Sequence, residues 1–169
     1  MRVLPVLCAV AVAFLVASCG KKEEKNVTVS TPEGNVSVSS GGGQVTMQSD
    51  NGKSSVTIAS NGSASAASVP SYVSVYPGAK VTSTVIGAGG GNGGGMVIYT
   101  TDASPDAVIA FHKKQAEGAG LKQTVDMNMQ GTLTYAATDE KTKHSMQVTV
   151  TKADGGMTQA EAVWSSGGN

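Results

Sequence analysis

The segment before Cys19 constrains the fold most strongly, because its pattern is that of a cleaved export signal. Arg2 is followed by an apolar run from Val3 to Val16 and then by two small residues. Such a run is too short to cross a bilayer core of about 30 Å as a helix, so we expect cleavage and no transmembrane anchor. Cys8 leaves with this signal, and the remaining chain then has one cysteine and no internal disulfide. Burial of apolar surface must therefore stabilise the fold.

The expected cleavage site resembles the lipobox of bacterial lipoproteins, which is a branched apolar residue, two small residues and Cys, here Leu15-Val16-Ala17-Ser18-Cys19. The resemblance implies that residues 1–18 are a lipoprotein signal peptide. It also implies that Cys19 is lipidated and acylated at the start of a charged tether, residues 19–25. A secreted protein with a free thiol is the alternative, which an oxidising compartment disfavours. Gly20 in place of Asp after the cysteine favours the outer membrane, facing the periplasm, as in proteobacterial lipoproteins.

The charge balance narrows the class of partner. The chain has 12 basic and 12 acidic side chains, so it lacks the basic excess that nucleic-acid binding requires. Nucleic acid is therefore not an expected partner. The expected partners are the membrane, through the lipid on Cys19, and proteins of the cell envelope.

Residues 26–68 are rich in Ser, Thr, Gly and Asn and contain no aromatic side chain. Short apolar-polar-apolar triplets recur between turn-forming residues, at Val27-Thr28-Val29, Val36-Ser37-Val38, Val45-Thr46-Met47 and Val56-Thr57-Ile58. Two interpretations fit this pattern, a meander or solenoid of very short strands and a spacer that only samples extended structure. Since the strands are short and the apolar surface is thin, we expect the weakly structured spacer.

Residues 69–169 carry the aromatic residues and the longer apolar stretches, and they form the expected folded domain. Alternation predicts strands at 80–86, 96–101, 122–129, 132–137, 145–151 and 158–164, and the glycine-rich stretch 87–95 reads as a loop. Ser104 and Pro105 predict a helix start, and Gly118 and Gly120 predict its end. The predicted fold class is α+β, with one helix packed on an antiparallel sheet in the order ββαββββ.

The alternation also predicts which side chains lie beneath this helix. On the helix, an arc of Val108, Ile109, Phe111, His112, Gln115 and Ala116 is expected to face the sheet. On the strands, the expected buried set is Val97, Tyr99, Val125, Met127, Met129, Leu133, Tyr135, Met146, Val148, Val150, Ala160, Ala162 and Trp164.

Two motifs resemble a small domain of bacterial secreted proteins and lipoproteins. They are Tyr76-Pro77-Gly78-Ala79 and the helix start Ser104-Pro105-Asp106, followed by Val108, Phe111 and His112. Members of that family read YPGA and then S-P-D-x-V-x-x-F-Y before a C-terminal sheet, and His112 stands where they have Tyr. The resemblance implies a folded head of unassigned activity, and it implies no catalytic residue.

The candidate site residues are few. His112 and His144 are the only histidines, and together with Met127 and Met129 they form a candidate soft-metal set for Cu(I). The favoured interpretation places the two histidines at the boundary of the core with their ring nitrogens hydrogen-bonded and makes the two methionines core residues, so we expect neither a metal nor another cofactor. No catalytic residue is predicted, because GxSxG and HExxH are absent from the sequence.

The predicted function is a membrane-anchored, non-enzymatic lipoprotein that acts as an interaction or structural module of the envelope. A periplasmic copper-binding protein that uses Met and His is the first alternative. A hydrolase is the second, and it would need a Ser or Asp hydrogen-bonded to His112 or His144.

Overall fold

The computed structural model describes residues 25–31, 34–49, 54–60, 67, 69–89 and 92–167. These residues form a ten-stranded antiparallel sheet and one α-helix, and the strands lie in the order β1-β2-β3-β4-β5-β6-β10-β9-β8-β7. The elements are β1 (Lys25–Thr31), β2 (Gly34–Gly41), β3 (Gln44–Ser49), β4 (Ser54–Ser60), β5 (Lys80–Gly89), β6 (Asn92–Thr101), α1 (Pro105–Gly118), β7 (Lys122–Met129), β8 (Thr132–Thr138), β9 (Ser145–Lys152) and β10 (Thr158–Ser166).

The predicted fold class, a ββαββββ α+β domain behind a spacer, is wrong. The protein is mostly one ten-stranded antiparallel sheet, and β1 to β4 extend it through residues that were expected to be weakly structured. β4 pairs directly with β5, with Ile58 opposite Val85. The triplets grow into strands of six to eight residues because the flanking Ser and Thr residues also take up extended backbone. Hydroxyl groups meet across the strands, as where Thr46 Oγ1 lies 3.3 Å from Thr57 Oγ1.

The glycine-rich stretch is mostly strand where a loop was expected. β5 continues to Gly89 and β6 starts at Asn92. Gly95 lies opposite Trp164 on β10, and a Cβ atom there would come 2.5 Å from Trp164 Cζ2. The indole therefore lies directly over glycine backbone, and this close approach explains why no larger residue occupies position 95.

α1 begins and ends as the sequence predicts. The Ser104 hydroxyl accepts a hydrogen bond from the Ala107 N–H at 3.3 Å, and Pro105 is the first helical residue. The helix ends at Gly118, and Gly120 has a φ of +78°. Val108, Ile109, His112 and Ala116 are buried against the sheet, so this part of the predicted helix face is confirmed.

The core lies between α1 and strands β6, β8, β9 and β10, and a short 3-10 helix at Ser71–Val73 joins it through Val73. The predicted strand set is confirmed as buried on these four strands, with Leu133 partly buried: Val97, Tyr99, Tyr135, Met146, Val148, Val150, Ala160, Ala162 and Trp164. The fifth predicted group, on β7, is not part of the core.

The prediction that β7 buries Val125, Met127 and Met129 is wrong. These side chains are 37%, 45% and 62% exposed. A β-bulge between Gln123 and Val125 shifts the register, so Asp126 lies opposite the buried Tyr135 and Met127 lies opposite Thr134. Because one extra residue turns every later side chain to the other face, the bulge points Asp126 towards α1 and points the three apolar residues away from it.

Candidate binding groove beside the helix

The end of the sheet next to α1 is only partly covered. α1 packs mainly on β8 and β9, while β7 forms the sheet edge and all eight of its residues are exposed. A two-residue turn joins β7 to β8, and both Gln130 and Gly131 have positive φ, at 51° and 85°. Positive φ at both central positions is typical of a type I′ turn, which holds the two strands as a tight hairpin. The β7–β8 hairpin therefore projects beside the start of the helix.

A groove lies between the start of α1 and this hairpin. Its outer part has a volume of about 460 Å³ and is lined by Asp106, Asn128, Gln130, Leu133 and Lys152, among others. We call this surface, together with the adjoining cavity along the helix, the helix–hairpin groove. The two parts share the lining residues Asp106, Asn128 and Leu133, so they form one continuous surface.

The inner part of the groove runs along α1 and has a volume of about 320 Å³. Ile109 and Leu133 supply apolar surface there, and Lys113 and Asp126 supply charge. Lys113 Nζ lies 2.5 Å from Asp126 Oδ2, so these two charges neutralise one another. The combined volume falls within the range of small-molecule sites, and apolar surface beside a few polar groups suits an amphipathic ligand.

A buried Tyr–His pair lies under α1. The Tyr99 hydroxyl is 2.6 Å from His112 Nε2, and both side chains are inaccessible to solvent. Burial lowers the pKa of His112 to about 4, although Gln115 favours the protonated form, and burial also raises the pKa of Tyr99. Both rings are therefore neutral at pH 7. Among the described residues, neither His112 Nδ1 nor Gln115 Oε1 has a hydrogen-bond partner.

The candidate copper ligands lie in different surroundings. His112 is buried in the core, and His144 stacks on Tyr72 with ring centroids 5.0 Å apart. Met127 and Met129 lie on the face of the sheet opposite α1. The structure therefore does not bring the four residues of this hypothesis together. Within the part of the chain that is described, no three His, Cys, Asp or Glu residues are grouped to hold a metal ion.

The remaining predicted sites are placed as follows. Cys19, the signal peptide at residues 1–18 and the start of the charged tether lie outside the described residues. The hydrolase alternative requires a Ser or Asp on a histidine, and no hydrogen bond of that kind joins either imidazole in the ranges that the structure describes. The Tyr76-Pro77-Gly78-Ala79 motif forms a turn before β5, with Gly78 at a φ of +76° and the Ala79 N–H bonded to the Tyr76 carbonyl.

Sequence reasoning missed the groove residues Asp126, Asn128 and Lys152. Two signals were present in the sequence: the Gln130-Gly131 pair, which suits a tight hairpin turn, and the alternation of Asp126 and Asn128 with methionines on β7. The bulge determines whether the polar or the methionine side chains of β7 face α1, and no residue type in the sequence indicates where the bulge lies. The groove could therefore not be assigned before the register was known.

A family model described as START domain-like matches residues 80–161, which include every groove residue named above. Domains of that kind typically bind ligands rather than catalyse reactions. No curated protein and no solved structure is significantly similar to the chain. None of the helices in the described residues is long and apolar enough to span a membrane.

Proposed function

We propose that the protein is a lipid-anchored lipoprotein of the bacterial cell envelope, held at the outer membrane through Cys19, and that its sheet-and-helix head binds a ligand without catalysing a reaction. The observation that carries the proposal is the helix–hairpin groove, which lies inside the stretch similar to START domain-like proteins. The lipobox supports the anchor, and the groove supports a binding role for the head.

The expected ligand is a small amphipathic molecule. Leu133 and Ile109 offer an apolar surface to its hydrocarbon part, and Asn128 and Gln130 offer amide groups to its polar part. Lys113 is already paired with Asp126, so Lys152 and Asp106 are the groove charges that remain to select the sign of a headgroup. The sign of the preferred headgroup is therefore a property that an experiment can read directly.

Metabolic labelling with palmitate tests the anchor. We expect the wild-type chain and the Cys8→Ser variant to incorporate label, because Cys8 leaves with the signal peptide, and we expect Cys19→Ser to incorporate none. The Cys8→Ser variant is the matched control for loss of a thiol. Labelling that persists in Cys19→Ser, or that disappears in Cys8→Ser, would contradict lipidation at Cys19.

Amide chemical shifts of the ¹⁵N-labelled protein test the groove. The probes are decanoate and decyltrimethylammonium below their micellar concentrations, which share an alkyl chain and differ in the sign of the headgroup. We expect one of them to shift the amides of Asn128, Gln130 and Leu133. Leu133→Asp should abolish these shifts, and Val163→Asp, on the opposite face of the sheet, should leave them unchanged. Shifts confined to residues outside the groove, or absent with both probes, would refute the binding site without bearing on the lipid anchor.

A further inference from the structure

A row of apolar side chains crosses β1 to β4 on the face of the sheet opposite α1. Strand pairing places Val27 beside Val38, Val38 beside Met47 and Met47 beside Val56. Paired residues of antiparallel strands point to the same face, so these four side chains form one cross-strand ladder.

A second row runs beside the first and continues into the other half of the sheet. Its members are joined by successive strand pairs: Val45, Ile58, Val85, Met96 and Val163. Thr84, the neighbour of Val85, lies opposite the buried Val97 under α1, so Val85 and its whole row point away from the helix. We call the nine residues of the two rows the uncovered face.

The uncovered face is accessible to solvent. Val27 is 54% exposed, Val56 and Ile58 are each 37% exposed, and Val163 is 39% exposed. In the ranges that the structure describes, α1 and the 3-10 helix both contribute to the core on the other face. Contiguous exposed apolar surface of more than a few hundred Å² marks an interaction site in a soluble domain.

The charge pattern narrows the class of occupant. β2, β3 and β4 contain no Lys, Arg, Asp or Glu. Surfaces that lie on anionic bilayers combine apolar side chains with Lys, Arg and interfacial aromatic residues, and the uncovered face has neither. The nine residues themselves carry no charge, and Glu161 is a charged neighbour on the same face, two residues from Val163 at the β10 end. A second copy of the same face is complementary by symmetry, since a two-fold interface uses the same patch on both subunits.

The size of the face also fits a second copy. The nine residues lie on seven neighbouring strands about 4.8 Å apart, in two rows that together take up about four residues along a strand at 3.3 Å each, so the face spans roughly 34 by 13 Å. Two such faces bury on the order of 1,000 Å² in total, which is the lower limit for a specific protein–protein interface. Branched Val and Ile side chains of two facing sheets interdigitate at the spacing of about 10 Å found in β-sandwiches.

We propose that two copies of this chain associate face to face through the uncovered face and form a two-sheet sandwich. The interaction surface is Val27, Val38, Met47 and Val56 together with Val45, Ile58, Val85, Met96 and Val163. This dimer leaves the helix–hairpin groove open on the outside of each copy, because the groove and the uncovered face lie on opposite faces of the sheet.

Photo-crosslinking of the full chain in cells tests the dimer. Two copies with different C-terminal tags are expressed together, and a benzophenone amino acid replaces Ile58 or, as the matched control, Thr57. These two residues are neighbours on β4 that point to opposite faces. We expect a product of twice the 16.9 kDa chain mass, less any cleaved leader, that carries both tags and arises from position 58 but not from position 57.

A charge variant sharpens the test and separates binding from folding. With the photoprobe at Val163, Ile58→Lys should reduce the doubled product at least tenfold, because two unpaired ammonium groups would be buried in each dimer. Thr57→Lys should leave the yield within about twofold, and unchanged cellular levels of both variants show that the chain still folds. Equal yields from positions 57 and 58, a crosslink to lipid or to a different protein, or no product at either position would overturn the proposal.

Discussion

The two halves of the sheet use the same alternation of apolar and polar residues, but they present their apolar side chains to opposite faces. In β6 and β8 to β10 most of these side chains lie under α1 and are buried, while Met96 and Val163 point to the other face. In β1 to β5 most of them lie on the uncovered face, and Ser and Thr occupy much of the other side. Alternation therefore tells which residues share a face and leaves open which face is covered.

Two β-bulges account for much of this difference. In β5 the register shifts between Val81 and Ser83, so that Val81 lies opposite the buried Tyr99 while Val85 lies opposite Met96 on the other face. In β7 the shift between Gln123 and Val125 has the same effect on Met127 and Met129. Without these extra residues, Val85, Met127 and Met129 would point towards α1.

The largest expected effect contrasts neighbouring residues on the two faces of β10. Trp164 is 5% exposed and Val163 is 39% exposed. We expect Trp164→Ala to lower the free energy of unfolding by about 3–5 kcal/mol, because it removes a large buried side chain. Val163→Ala should cost less than about 1 kcal/mol in the monomer. Urea unfolding followed by circular dichroism measures both values, and equal losses would break the contrast between the faces.

The second-largest effect is a dependence of stability on pH, and we expect it only from the half of the sheet that α1 covers, where His112 lies. His112 has a pKa of about 4 in the folded protein, and an unfolded imidazole titrates near 6.5. Between pH 6.5 and pH 4 the imidazole of residue 112 binds a proton in the unfolded state but not in the folded state. The contribution of the neutral His112 to the free energy of unfolding is therefore fully present above pH 6.5 and is lost as the pH falls towards 4. The expected loss approaches about 3 kcal/mol, at about 1.4 kcal/mol for each pH unit.

His112→Phe is the control for this pH dependence. It removes the titrating group, so the difference in unfolding free energy between pH 7 and pH 4.5 should shrink relative to the wild type, even though the variant loses the hydrogen bond to Tyr99. An unchanged difference would show that other groups cause the acid sensitivity.

The third effect lies where the two halves join. Gly95→Ala should cost about 1–3 kcal/mol, because its Cβ would collide with the Trp164 ring and with the Val85 carbonyl oxygen. Gly87→Ala is the matched control on β5, where the nearest atoms to a Cβ are 3.9 Å away, and it should change stability by less than about 0.5 kcal/mol. Thermal unfolding distinguishes the two, and a Gly95→Ala protein as stable as the control would contradict the close approach of the indole.

The smallest effect is expected at the groove. Asp126→Asn removes the ion pair with Lys113, whose two side chains are 33% and 42% exposed. Pairs of this exposure contribute at most about 1 kcal/mol and are screened by salt. We therefore expect a small loss in unfolding free energy at low ionic strength that disappears at 1 M NaCl. A loss that persists at high salt would mean that Asp126 acts through contacts other than this pair.

The sequence predicted the helix and the buried faces of β6, β8, β9 and β10, since Ser104, Pro105 and Gly118 have unambiguous local roles and the alternation on those strands is uninterrupted. It did not predict the length of β1 to β4, because Ser and Thr favour turns as readily as strands and the pairing that decides between them is not local. The sequence also did not predict which side chains of β7 point towards α1 or which residues line the groove. Both depend on an extra residue at Thr124, and threonine carries no distinct bulge signature.

The contact between Trp164 and Gly95 has a practical consequence. Trp164 is the only tryptophan of the chain, and its ring lies over the strand that joins the helix-covered half of the sheet to the rest. Its fluorescence emission is therefore an intrinsic reporter at this junction, available without any label. During urea unfolding, a red shift of this emission that precedes the loss of the circular dichroism signal would show that water reaches the contact between Trp164 and Gly95 while the strands on either side remain folded.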